Sequence, residues 1–138
     1  MDCIFCKIVN GELPSYTVFE NETSIAFLDI NPFVKGHTLV IPKKHSRWIW
    51  DSGEDEYVEL MKSVRLVAEK LKKAYETDWI QVIIAGQDVH HTHIHLLPRK
   101  ENDGYPAVPI KPMGQLSKEE MKDIQQKIQV SNSNSIEK

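Results

Sequence analysis

The sequence lacks any apolar stretch approaching the roughly 20 residues that a membrane span requires. Its start, Met1-Asp2-Cys3-Ile4, has no basic region followed by a long apolar run. These absences argue against a membrane-spanning helix and lead us to expect a cytoplasmic protein. Positive charge is not in excess either. The formal net charge is −3, which gives no long-range attraction for polyanions and argues against a nucleic-acid partner. Only two cysteines are present, Cys3 and Cys6, and the spacing Cys3-Ile4-Phe5-Cys6 is too tight to staple a fold. In a reducing compartment such a dithiol suits metal or redox work.

What is present fits one domain. A chain of 138 residues can build a single hydrophobic core but not two independent ones, so one active site is expected. We read residues 1–130 as that domain and 131–138 as a polar tail that frays.

The segment Phe5 to Gly11 reads as a short helical turn, with Pro14 beyond it as a stop. Tyr16 to Phe19 and Ile25 to Ile30, parted by the turn-prone Glu20-Asn21-Glu22, read as a hairpin. Thr38-Leu39-Val40-Ile41, closed by Pro42, is a third strand. From Glu54 to Glu76 the apolar residues Val58, Met61, Val64, Val67, Ala68, Leu71 and Tyr75 recur every three or four positions, which predicts an amphipathic helix, with Ser52 as its cap. Two further strands fit Trp79 to Ile84 and Val89 to Leu97, the latter ended by Pro98. Ser117-Lys118-Glu119-Glu120 is a capping-box pattern that predicts a terminal helix through about Val130. The architecture expected is α+β, an antiparallel sheet of about five strands backed by one long helix.

All six histidines fall in two places: His37 and His45 flank the third strand, and His90, His91, His93 and His95 lie on the last. Strand side chains alternate, so His91, His93 and His95 share one face while Thr92, Ile94 and Leu96 point to the other, and His90 reads as an ordinary surface or core residue. A single ion held by the whole row is disfavoured: His91 and His95 would be about 13 Å apart at roughly 3.3 Å per residue, against zinc–nitrogen bonds of about 2.0–2.1 Å. The row therefore divides its labour. A neutral imidazole is a competent nucleophile or proton donor, and Cys-x-x-Cys with two histidines makes a closed tetrahedral site of structural type.

The run His91-Thr92-His93-Ile94-His95-Leu96-Leu97 resembles the defining motif of the histidine triad (HIT) family. Gly86-Gln87, Pro98-Arg99, Ala26 through Pro32 and Gly36 through His45 reinforce the likeness, and Cys3 through Ile8 is similar to the family's zinc-bearing bacterial and archaeal members. The resemblance implies a homodimer, a fold with an antiparallel sheet and one long helix, and attack at the α-phosphate of a purine nucleotide. It implies His93 as the nucleophile that forms a nucleotidyl-histidine intermediate, His95 at the phosphate or leaving group, and structural zinc on Cys3, Cys6, His45 and His91. Gln87 and His95 are the candidate donors to the phosphoryl oxygens. Asp29 suits the two adjacent ribose hydroxyls. Phe5, Ile8, Phe27 and Ile30 are the candidate base pocket, with Ile8 and Phe27 reading equally as ordinary core.

Two positions depart from the family pattern. Gln81-Val82-Ile83-Ile84 runs almost directly into Ala85-Gly86, without the asparagine and Gly-rich stretch that many relatives carry. Asp88 stands where relatives often have Ser or Thr, and a carboxylate there repels an anionic substrate unless it turns away. The rival readings are a nucleotide-binding or zinc-stabilised interaction module without turnover, and a metallohydrolase whose histidines hold a catalytic ion.

Overall fold

The computed structural model describes residues 3–131. The tail expected to fray lies outside them except for Ser131. The chain forms helix α1 (Ile4–Val9), strands β1 (Thr17–Glu20), β2 (Ser24–Leu28) and β3 (Thr38–Pro42), helix α2 (Glu54–Tyr75), strands β4 (Trp79–Ile83) and β5 (Ile94–Arg99), and helix α3 (Lys118–Val130). The five strands make one antiparallel sheet in the order β1-β2-β3-β5-β4, the α+β architecture the sequence predicts.

The pleat sorts the core into two layers. Ala26, Leu28, Val40, Ile94 and Leu96 point toward α2 and α3, where they meet Leu60, Val64, Val67, Leu71, Met121 and Ile128. Ile25, Phe27, Leu39 and Ile41 point to the other side and pack beneath α1, with Phe5 and Cys3. A six-residue helix is far too short to stand alone in water. Burial of Phe5, worth about 1.5–3 kcal/mol, and the Cys3 cap hold it down.

Three expectations need correction. The cap of α2 is Gly53, not Ser52: the Gly53 amide donates to Glu56 Oε1 at 3.0 Å, a bond that a carboxylate three residues on from the cap makes and Asp55 is one residue too early to make. The core stripe of α2 runs through Leu60, Val64, Val67 and Leu71, while Val58 lies off that stripe and is 41% exposed. The last strand begins at Ile94, since residues 89–93 lack ladder partners, and it continues through Pro98 to Arg99. Pro98 is tolerated because β3 stops pairing at Leu96, so a strand neighbours it on one side only. The capping box of α3 is as expected: Ser117 Oγ accepts from the Glu120 amide, and Glu120 Oε1 accepts from the Ser117 amide, both at 3.0 Å.

The turn into β3 is where sequence and site meet. Gly36 has φ +86°, and a Cβ there would sit 2.7 Å from the Tyr75 ring, so only glycine passes under the end of α2. The next residue is His37.

Candidate active site and metal centre

β3 and β5 pair with Leu39 opposite His95, and both of these side chains lie on the α1 side of the sheet. His91 and His93 precede β5, yet their rings lie on that same side. Phe5 meets the His91 and His93 rings edge-on at 5.9 and 5.2 Å between centroids, and the His93 and His95 rings are 5.1 Å apart.

His91 turns away from its two neighbours. Its Nε2–H donates to the Pro42 carbonyl at 2.8 Å, which leaves the Nδ1 lone pair facing Cys3 Sγ at 3.3 Å, Cys6 Sγ at 3.5 Å and His45 Nδ1 at 3.2 Å. Cys6 Sγ is also 3.3 Å from His45 Nδ1. A tetrahedral ion with bonds of about 2.05 Å to nitrogen and about 2.3 Å to sulfur sets its ligands about 3.3 Å (N to N) and about 3.6 Å (N to S) apart. The four side chains therefore fit a closed tetrahedral site. The Pro42 carbonyl does for His91 what outer partners do for metal-bound imidazoles, fixing tautomer and ring direction. The Cys6 amide donates to Cys3 Sγ at 3.3 Å, a bond that favours thiolate. Burial, then the neighbouring Cys3 thiol, pushes the Cys6 thiol up to about 11, a cost that a bound divalent cation offsets.

His93 belongs to a different system. Its Nδ1–H donates to the His91 carbonyl at 2.8 Å, so the neutral ring carries its lone pair on Nε2. His95 is fixed from the other side, through His37. The Phe33 amide donates to His37 Nδ1 at 3.0 Å, so the neutral His37 ring carries its proton on Nε2. That Nε2–H donates to His95 Nδ1 at 2.9 Å, which puts the His95 proton on its Nε2. Burial first, and the neighbouring His95 second, holds His37 down at about 3. Burial and His93 hold His95 down at about 4, against the opposing pull of Asp88. Both rings are neutral at pH 7. One backbone amide thus sets two tautomers in series, and with His93 fixed separately by the His91 carbonyl a lone pair on His93 Nε2 accompanies an N–H on His95 Nε2. Among the described residues the one fully buried, unpartnered polar side-chain atom is Ser24 Oγ, so both free Nε2 atoms reach solvent.

Asp29, His37 and His95 also bring ligand-type atoms within 4.8 Å of one another. The hydrogen-bond order weighs against a metal there: His37 Nε2 carries a proton, and moving it to Nδ1 would set it against the Phe33 N–H. Asp29 Oδ1 accepts from the Asn31 amide at 2.8 Å, and its Oδ2 stands 3.6 Å from His37 Nε2. Burial raises its carboxyl above the usual range.

The remaining expected site residues divide. Phe5 and Phe27 are buried and meet edge-on at 5.5 Å, with Ile8 packed against the same cluster, whereas Ile30 is 61% exposed. Gln87 and Asp88 are exposed, and so is His90. The groups not anticipated are His37 as the partner that orients His95, the Ser46–Thr92 tie, and Arg99. The Ser46 carbonyl accepts from the Thr92 amide at 2.7 Å and from its hydroxyl at 3.0 Å, locking the residue between His91 and His93. Alternation alone had marked Thr92 only as pointing away from the histidines.

A family model described as HIT domain matches residues 10–102. The chain belongs to the HIT family. An uncharacterized HIT-like protein of Methanocaldococcus jannaschii is 48% identical over 107 residues, 74% of this chain and 82% of that protein. The adenosine 5'-monophosphoramidase of Saccharomyces cerevisiae is 38% identical over 115 residues, 76% of this HIT chain and 70% of its own length. A hypothetical histidine triad nucleotide-binding protein from Sulfolobus tokodaii matches in structure with TM-score 0.84 at 40% identity, covering 96% of this chain and 93% of that one. A zinc-bound histidine triad family protein from Mycobacterium smegmatis matches with TM-score 0.74 at 28% identity, covering 96% and 94%. The HIT match starts at residue 10, so Cys3 and Cys6 precede it, and the donor set above rests on this chain's own geometry.

Proposed function

We propose that this HIT protein is a nucleotide hydrolase or nucleotidyl transferase that attacks the α-phosphate of a purine nucleotide conjugate with His93. The observation that carries the reading is the pair of complementary Nε2 atoms, a lone pair on His93 and an N–H on His95. In the first half-reaction a bond forms from His93 Nε2 to phosphorus. The bond to the leaving group breaks and its electron pair departs with that group, which leaves as a phosphate anion, or as a neutral amine from a substrate nitrogen already protonated, while His95 Nε2–H donates a hydrogen bond to it. The ring's positive charge is held at Nδ1–H by the His91 carbonyl. In the second half water adds to phosphorus, the bond to Nε2 breaks, and one proton is released with the nucleoside monophosphate. Splitting one substitution into two lowers each barrier. Asp29 Oδ2 takes the ribose hydroxyls, Phe5, Ile8, Phe27 and Ile30 face the base, and Gln87 donates to a phosphoryl oxygen.

Zinc is the ion that two thiolates and two imidazoles suit, held by Cys3, Cys6, His45 and His91, where it fastens α1 to the sheet and takes no part in the reaction. A cytoplasm that keeps thiols reduced maintains the site. We also propose a homodimer. β4 is an edge strand in the described residues, with Val82 47% and Ile84 44% exposed beside its open side, and a second copy pairing there removes that edge.

The test is single-turnover trapping with a nucleoside phosphoramidate. Wild type should form an acid-trappable nucleotidyl-protein labelled at His93, and His93→Ala should form none. Nucleotide binding without labelling of the wild type would establish the binding module instead. Chelation should lower Tm steeply, since structural zinc contributes on the order of 10 kcal/mol to folding, while protein that stays folded keeps its labelling; loss of labelling from folded, metal-free protein would mean a catalytic ion.

A further inference from the structure

The segment that must bring Gln87 to the phosphate is held on its far side by Val89, which packs against the cluster of Phe5 and Phe27, and before Gln87 by little else. Between Ala85 and His90 the Gly86 carbonyl is the only group hydrogen-bonded by another described residue, and its partner is Arg47 Nη1 at 2.6 Å. The Arg47 guanidinium lies over the Trp48 ring, 3.5 Å from its centroid. The Trp48 ring in turn presses on Gly86: a Cβ at that position would stand 2.6 Å from Trp48 Cζ3, and the backbone there has φ +72°, so glycine is required twice over. Gly86 is buried by this contact, while the next residue, Gln87, is exposed and free.

From the juxtaposition of Arg47, Trp48 and Gly86 we infer that Arg47 and Trp48 are positioning residues for the phosphate-contacting turn, holding Gly86 so that the Gln87 amide stands ready before substrate arrives. The inference rests on the nucleotide reading above. Arg47 is preorganised by stacking on Trp48, which directs its planar fork at one carbonyl. Their own segment is anchored at Ser46, tied to Thr92, so the turn is referenced to the residue between His91 and His93. The register between Gln87 and the nucleophile is thereby set by contacts that never touch the substrate. This chain has a short connection here, Ala85-Gly86-Gln87, and the external clamp stabilises what a longer loop would have to stabilise internally.

Without the clamp the turn must be ordered at the moment of binding. That cost falls on ground state and transition state alike, so it appears in KM with little change in kcat. The test is a set of variants assayed with adenosine phosphoramidate, with backbone amide order parameters of residues 85–88 measured alongside. Trp48→Ala should raise KM about tenfold with kcat within twofold, and the turn's order parameters should fall. Trp48→Phe, which keeps a ring on Gly86, should restore most of the loss, and Arg47→Ala should resemble Trp48→Ala. Gln87→Ala should cost much less in the Trp48→Ala background than in wild type, because both act through one turn. A wild-type KM and unchanged order parameters in Trp48→Ala would overturn the inference, as would additive losses with Gln87→Ala. Should Trp48→Ala not fold, Arg47→Ala decides by the same readings. If the wild type forms no nucleotidyl adduct, it is the functional reading that fails; the clamp is then judged by the order parameters and by the dissociation constant for AMP, and equal values in wild type and Arg47→Ala would refute it.

Discussion

A histidine with both ring nitrogens engaged has lost the freedom that makes the residue a pH switch, and His37 is in that state. Its Nδ1 accepts from the Phe33 amide and its Nε2–H donates to His95, at 3.0 and 2.9 Å. Nothing is left for a substrate. The value of His37 lies in what it imposes on His95, which without a donor at Nδ1 is free to take the other tautomer and present a second lone pair where the leaving group needs a hydrogen-bond donor. His37→Ala should therefore lower kcat about 10²-fold, the scale of a catalytic group misplaced by about an ångström. His37→Gln, whose amide nitrogen reaches the position of the imidazole Nε2, should recover a substantial part of that loss. Steady-state kinetics on the three proteins check this, and equal kcat values for His37→Ala and wild type would remove His37 from the mechanism. From the sequence His37 stands out only as one of two histidines flanking a strand. Its partner is set by the β3–β5 register, Leu39 opposite His95, and register is a property of two segments together that neither displays alone.

At the scale of elements, the segment after β5 hangs on one buried arginine. Arg99 is 2% exposed; it makes a bidentate pair with Asp103 at 2.7 and 3.1 Å, donates to Gln81 Oε1 at 2.6 Å and to the Tyr105, Pro106 and Ala107 carbonyls, and stacks over Trp79. Side-chain hydrogen bonds from Arg99 hold the Asp103 carboxyl well below the usual carboxylate range. Asp103→Asn leaves a buried cation with neutral acceptors only and should cost about 3 kcal/mol, the lower end for a broken buried pair, read as a lower urea midpoint at pH 7. A midpoint unchanged within error would mean that the carbonyls suffice. Elements announced by local chemistry were legible: α3 by its capping box, α2 by its period, β3 by its apolar run. Those set by distant partners were not. The start of β5 at Ile94 follows from His91, Thr92 and His93 spending their hydrogen bonds on Pro42, Ser46 and each other, and the hub at Arg99 follows from a loop that folds back over five carbonyl and carboxylate acceptors. A lone arginine after a proline carries no mark of that.

For the whole molecule, the buried histidines decide how stability responds to acid. Burial holds His37 at about 3 and His95 at about 4, both below the roughly 6.5 of an unfolded histidine. The unfolded chain therefore binds these protons first. The two rings leave stability untouched above about pH 6.5 and withdraw it as pH falls toward 4, each by about 1.4 kcal/mol per pH unit once well inside that window. Asp103 acts lower. Its folded carboxyl titrates below an unfolded value near 3.9, so its contribution is complete above that value and is lost only as pH falls through the folded range. The loss of stability should thus begin near pH 6, well above the range in which the Asp103 carboxyl titrates. His37→Gln removes one withheld proton, so between pH 6 and 5 its stability should decline less steeply than that of wild type, by about 1 kcal/mol per pH unit. Urea midpoints for both proteins at equal zinc and at pH 7, 6, 5.5 and 5 measure the two slopes, and because proton competition at Cys3, Cys6, His45 and His91 is common to both, it cancels in the difference. Parallel slopes would mean that His37 takes up its proton in the folded protein as readily as in the unfolded chain, which the Phe33 amide pointed at its Nδ1 opposes.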